Sequence, residues 1–289
     1  TKNSKGTELA EMYDMKTAGA VAFGDYKKPQ ENPNLMKIAL QYASTFDGLV
    51  CSFPQENAIA LNGVMHEYIT STSIGLTGIP ALAEELQIAR DLFLLEYTNG
   101  KLHIPTISTA KSVELIKAAK KNKLNVTCSV AIHNLIFTDE NLTNFDTNFK
   151  VSPPLRSQND IEALITGLKD GTIDMITSDH NPLDIELKKI EFDYATEGTI
   201  GLESFFGVMN SLFSTKTAIK FLTKGKERFG LEYSSIDKGN KLNATLFNPD
   251  GNFIFSKDHI KSKSKNSIFE GSTLKGNVYG IINNNKIQL

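Results

Sequence analysis

No stretch of this 289-residue chain is apolar over the length of a membrane span, and no basic-then-apolar leader segment is visible. Excess charge is missing as well: 31 Lys and Arg stand against 33 Asp and Glu, a formal −2. That balance gives no electrostatic case for nucleic acid or an anionic membrane as a partner. Cysteine is scarce. Cys51 and Cys128 both sit inside apolar runs, which reads as buried thiols in a reducing, cytoplasmic compartment rather than a disulfide. What is present is 40% apolar residues, enough for a real core in one large domain or a domain with a smaller companion.

The chain opens at Thr1 without a methionine, and helix and strand signals alternate from there. "GTELAEMYDMKTAG" places Leu9, Met12 and Met15 at helical spacing, and "PNLMKIALQYASTF" repeats the pattern after Pro33. The strongest helix is "PALAEELQIARDLFLLEYTNG", opened by Pro80 and closed near Asn99 and Gly100. Apolar strands are predicted at 20–25, 48–53, 102–107, 125–132 and 172–178. Such βα repetition implies a parallel sheet covered by helices, with polar residues gathered where the strands end. Five strands do not close an eight-stranded barrel, so the missing ones are expected upstream of Thr1. The segment "YITSTSIGLTGIP" reads as a long connection, and "KDHIKSKSKNSIFEG" as an exposed basic loop. From about residue 236 the pattern becomes short strands with Asn/Gly turns, including a hairpin around 283–285. The expected division is a partial barrel over 1–235 and strands of a small β unit over 236–289.

"TIDMITSDHNPLD", residues 172–184, breaks from a buried strand into Ser178, Asp179 and His180. Together with "GAVAFGD", "LHIPTISTAKSVELIKAAK", "KVSPPLRSQND" and "GTIGLE", it resembles dihydroorotase of the amidohydrolase superfamily, over nearly the whole chain. The resemblance implies a (β/α)8 TIM-like barrel, incomplete here, with a small β-sandwich built from both chain ends. It also implies a divalent metal centre, usually zinc. There a metal-activated water opens the ring amide of dihydroorotate, and the same site runs the reverse cyclisation of carbamoyl aspartate.

Such a centre needs three or four nitrogen or oxygen ligands on rigid strand ends, with one position open. The His-x-His expected on the first strand is not in this chain. By resemblance Asp25 and Asp179 keep metal positions, and Asp179 is also the catalytic acid/base if the protein is active. A histidine expected after the second strand is replaced by the stretch Phe53, Pro54, Gln55, and another by Thr106. On the substrate side the resemblance points to Ser152, Arg156 and Asp184, all at altered positions or in altered surroundings. A carboxylate at Asp184 would repel an anionic substrate. His103 reads as a packed or hydrogen-bonded residue and His133 as hydrogen-bonded, with both kept as lesser metal candidates. His180 is expected to orient loop groups, while His66 and His259 fall in polar loops without a signal.

Three readings follow. The preferred one is a non-catalytic dihydroorotase homologue without a cofactor, acting as a scaffold or regulator toward aspartate carbamoyltransferase, as degenerate relatives do, in homo-oligomeric, dimeric form. The alternative is an active, zinc-dependent dihydroorotase completed by upstream histidines or a carboxylated lysine. A hydantoinase-like enzyme is a third, and "KVSPPLR" argues against it.

Overall fold

The computed structural model describes residues 1–231, 235–283 and 286–289. Among these, four short strands form one parallel sheet: β1 (Val50–Cys51), β4 (Leu102–Ile104), β5 (Val126–Ala131) and β6 (Met175–Thr177), in that spatial order. Val50 lies opposite Leu102, Leu102 opposite Val126, and Ser129 opposite Met175. Phe23 adds a single parallel bridge to Val50 on the open side of β1, so the predicted first strand contributes one residue to the sheet. Leu102, Ile104, Cys128 and Val130 are buried with little or no exposure, as strands covered on both faces require.

Nine α-helices are described: α1 (Met12–Thr17), α2 (Pro33–Ser44), α3 (Asn57–Ala60), α4 (Ile69–Ile74), α5 (Ala81–Thr98), α6 (Ala110–Lys121), α7 (Gln158–Asp170), α8 (Leu202–Leu212) and α9 (Thr215–Arg228). Their starts follow local chemistry. The Asn32 side chain accepts from the N–H groups of Asn34 and Leu35 at the head of α2, with Pro33 in the first helical position. Thr109 caps α6, and Ser157 with Asp160 forms a capping box at α7. α5 ends at Asn99 in the left-handed region. The longer helices bury one stripe, such as Ile88, Leu92 and Leu95 on α5 or Ile161, Leu164 and Leu168 on α7.

Three expectations change. The first helix is six residues long, and its Met15 is exposed. The supposed connection "YITSTSIGLTGIP", residues 68–80, instead folds into α4 and β3 (Gly78–Ile79), which pairs in parallel with β2 (Met65–His66) just before it. The basic segment over 257–271 is not an exposed loop: Ile260, Ile268 and Phe269 are buried, and Phe269 packs on Phe137 with ring centroids 5.4 Å apart. Its lysines had masked three core side chains.

The last sheet is antiparallel: β7 (Ala244–Ile254), β8 (Thr273–Asn283) and β9 (Lys286–Gln288). Asn283 pairs with Lys286; residues 284 and 285 of the predicted hairpin tip lie outside the described residues. Phe255 and Leu274 join the same buried cluster as the parallel sheet's helices. Both cysteines are free thiols.

Gly201 is a close-approach point. A Cβ there would meet the Ser178 carbonyl oxygen at 2.4 Å, a backbone atom that cannot swing away. Gly201→Ala is therefore expected to separate the head of α8 from the end of β6 and cost about 1–3 kcal/mol. A urea melt reads this directly, and an unchanged midpoint would refute it.

Candidate functional site

The sheet hands its polar residues to one end. β6 stops at Thr177, and two residues on Asp179 takes a left-handed backbone, φ 47°, with its N–H donating to Thr177 Oγ1 at 3.1 Å. That turn directs its carboxylate to Lys27. Lys27 Nζ donates to Asp179 Oδ2 and to the Ser152 carbonyl, both at 2.7 Å. The Asp179 side chain is 6% exposed and that of Lys27 18%. Burial, and then the Asp179 charge, push the neighbouring Tyr26 phenol above its ordinary range. Lys27, Asp179, Thr106 and Ser129, together with Tyr26, His103, Thr177 and Ser178, line the polar side of a cavity of about 470 Å³; Phe53 and Phe229 lie among its apolar walls.

Asp25 faces elsewhere. Its carboxylate accepts from the Thr1 backbone nitrogen at 2.6 Å and from the Thr1 hydroxyl. It lines a second cavity, of about 560 Å³, with Gln55 and again Lys27. Phe53 and Thr106, which stand where the resemblance expects imidazoles, are both buried at strand ends. Thr106 holds φ 49°, its N–H donates to Ser129 Oγ at 3.2 Å, and its own hydroxyl has no partner.

The histidines divide. His103 is packed in β4, with Nδ1 3.0 Å from Thr127 Oγ1 and its ring edge-on to Phe229. Burial, reinforced by Arg228 and Lys120, pushes its pKa down to about 4. His133 is fully buried, and neither ring nitrogen has a partner, which corrects the expectation of a hydrogen bond. Burial takes it down to about 4 against the opposing pull of Asp179. His180 accepts from the N–H groups of Gly201 and Leu202 at 3.2 and 3.3 Å, so its Nδ1 caps α8. His66 is no loop residue; it is buried 3.0 Å from an Arg156 nitrogen.

Arg156 does not line the strand-end cavity. It is 2% exposed and donates to Ser108 Oγ at 3.0 Å and the Ile79 carbonyl at 2.9 Å, with Glu84 at 3.9 Å. Ser152 enters through its carbonyl oxygen rather than its hydroxyl. Asp184 is exposed at the head of a short 3-10 turn (Ile185–Leu187), away from the cavity lining. Lys27 was missed in the sequence, where "DYKKP" reads as a polar loop.

The donors described in this chain do not by themselves complete a zinc centre. Asp179 already holds an ammonium, and Asp25 opens on another cavity. Among the described residues no three His, Cys, Asp or Glu side chains gather where they could hold a metal ion. A zinc site with an open position needs three such protein ligands.

A family model described as Dihydro-orotase-like matches residues 1–112. The chain is 40% identical over 294 residues to a dihydroorotase from Acetivibrio thermocellus, covering 99% of this chain and 69% of that protein. It is 42% identical over 283 residues to one from Pelotomaculum thermopropionicum, covering 96% and 66%. The chain thus spans about two thirds of the length of these relatives. Among solved structures it is similar to the L-hydantoinase (dihydropyrimidinase) from Arthrobacter aurescens, with TM-score 0.79, 19% identity, and 96% of this chain and 66% of that one covered. The dihydropyrimidinase from Brevibacillus agri gives TM-score 0.74 at 20% identity over 87% and 59%. These likenesses establish the fold alone, a TIM-barrel-like fold with a parallel sheet at its core.

Proposed function

The chain belongs to the dihydroorotase family, and from that premise we propose that it is a member whose residues no longer build the metal centre and which does not turn over dihydroorotate. One observation carries this reading: the acid/base carboxylate, Asp179, is bound by Lys27. A general base needs a lone pair aimed at substrate or at an activated water, and here an ammonium engages one of the two carboxylate oxygens. Phe53 and Thr106 in place of imidazole remove the nitrogen donors that hold zinc at neutral pH. A role through protein contacts then follows, with aspartate carbamoyltransferase as the partner suggested by the resemblance and a homodimer as the assembly.

The relatives favour a second reading, and favour it over a scaffold role. Curated relatives 39–42% identical to this chain carry the name dihydroorotase. On that reading the protein is an active, zinc-dependent enzyme, its ligands completed by residues outside this chain.

Cyclisation of carbamoyl aspartate by the full-length protein separates the two. The expected rate equals that of buffer, and Asp179→Asn leaves it unchanged. Turnover by the wild type that Asp179→Asn abolishes would establish the second reading instead.

A further inference from the structure

Lys27 stands where two cavities meet, lining one with Asp179 and Thr106 and the other with Asp25 and Gln55. Its ammonium contacts one carboxylate oxygen and one backbone carbonyl, both at 2.7 Å. Such hard oxygen donors also suit a small metal cation. Here the chain supplies the positive charge itself. An ammonium has three N–H donors, and two are used. In the same cavity wall lies a buried polar atom without a partner, the Thr106 hydroxyl. Lys120 with Asp174 makes an ion pair of the same length, 2.7 Å, but that carboxylate is also held by the Cys128 N–H, and neither residue lines the strand-end cavity.

We propose that the Lys27 ammonium is the resident cation of this site. It takes the place of a metal ion on Asp179 and the Ser152 carbonyl, so that removing it converts the cavity into a receptor for a small cation from solution. This rests on the reading that the protein does not hold the family's metal. The physical driver is the buried carboxylate: stripped of its partner it is left without a counter-charge in a desolvated site, and any cation able to enter relieves that cost. Thr106 adds a hydroxyl in the cavity wall that a hydrated ion can use.

The test is chemical rescue in the full-length protein. Lys27→Ala and, as a control, Lys120→Ala are melted with and without ethylammonium chloride or manganese(II) chloride, against sodium chloride at equal ionic strength. Lys27→Ala is expected to melt about 5 °C lower than wild type. Most of that loss returns, saturably, with ethylammonium or manganese. Wild type and Lys120→Ala show no such return, and adding Asp179→Asn to Lys27→Ala abolishes it. Should Lys27→Ala fail to fold, Lys27→Met keeps the stem's packing without the charge, and the same rescue is read on it. A variant that melts like wild type, or one that regains no more than Lys120→Ala does, overturns the resident cation. Metal content of the wild type keeps the two claims apart. A metal-free wild type with an unresponsive Lys27 variant sinks only the resident cation, whereas wild type carrying stoichiometric metal with Lys27 intact sinks both.

Discussion

Arg156→Met is expected to cost about 3–5 kcal/mol of folding stability, because it strips a buried network of its cation. Arg156 links three separate parts of the chain: Ser108 at the head of α6, the Ile79 carbonyl on β3, and His66 on β2. Beside it Glu84, 2% exposed on α5, accepts from the Ser108 and Thr109 N–H groups at 2.8 and 3.1 Å and from two serine hydroxyls. Methionine matches the stem but leaves a carboxylate buried without a counter-charge and takes the donor from Ser108 Oγ and His66 Nδ1, while the Ile79 carbonyl keeps the Glu67 N–H. Adding Glu84→Gln removes the stranded charge, so the double variant is expected to lose less than the sum of the two singles. Urea unfolding of all four proteins measures this. A loss under about 1 kcal/mol for Arg156→Met would show that the network is not held by its guanidinium.

Acidification is the second large effect. Burial pushes the pKa values of His103 and His133 down to about 4, against an unfolded value of 6.5. Below pH 6.5 the unfolded chain therefore binds protons that the folded chain refuses. Stability is complete above pH 6.5 and drains away as the pH falls toward 4. By pH 5 the loss is about 2 kcal/mol for each ring, to order of magnitude. His66 adds in the same direction, driven by burial and by Arg156. His133→Leu separates the contributions: with no hydrogen bond to lose, the variant is expected to keep its stability at pH 7 and to show a shallower acid decline. An identical pH profile for wild type and His133→Leu would contradict this account of the ring.

Much of the frame was legible because buried parallel strands announce themselves. Val50, Leu102, Val126 and Met175 all fall inside apolar runs that break into polar residues, and helices with regular stripes follow them. Asp179 was legible for the same reason, as a carboxylate at the end of such a run. What stayed hidden depends on partners distant in sequence. Lys27 meets Asp179 across 152 positions, and His66 meets Arg156 across 90. Two-residue strands such as β2 and β3 carry no period to detect. In the segment over 257–271, alternating lysines and serines outweighed Ile260, Ile268 and Phe269, although those three are what the core uses.

Zinc per chain, measured by elemental analysis on the full-length protein purified without chelator and exposed to zinc before desalting, addresses the loss of the metal centre most directly. With Asp179 held by Lys27 and imidazole missing from two strand ends, the expected content is background, equal to that of Asp179→Asn. One or more zinc atoms retained by every chain, and lost on replacing Asp179, would contradict it.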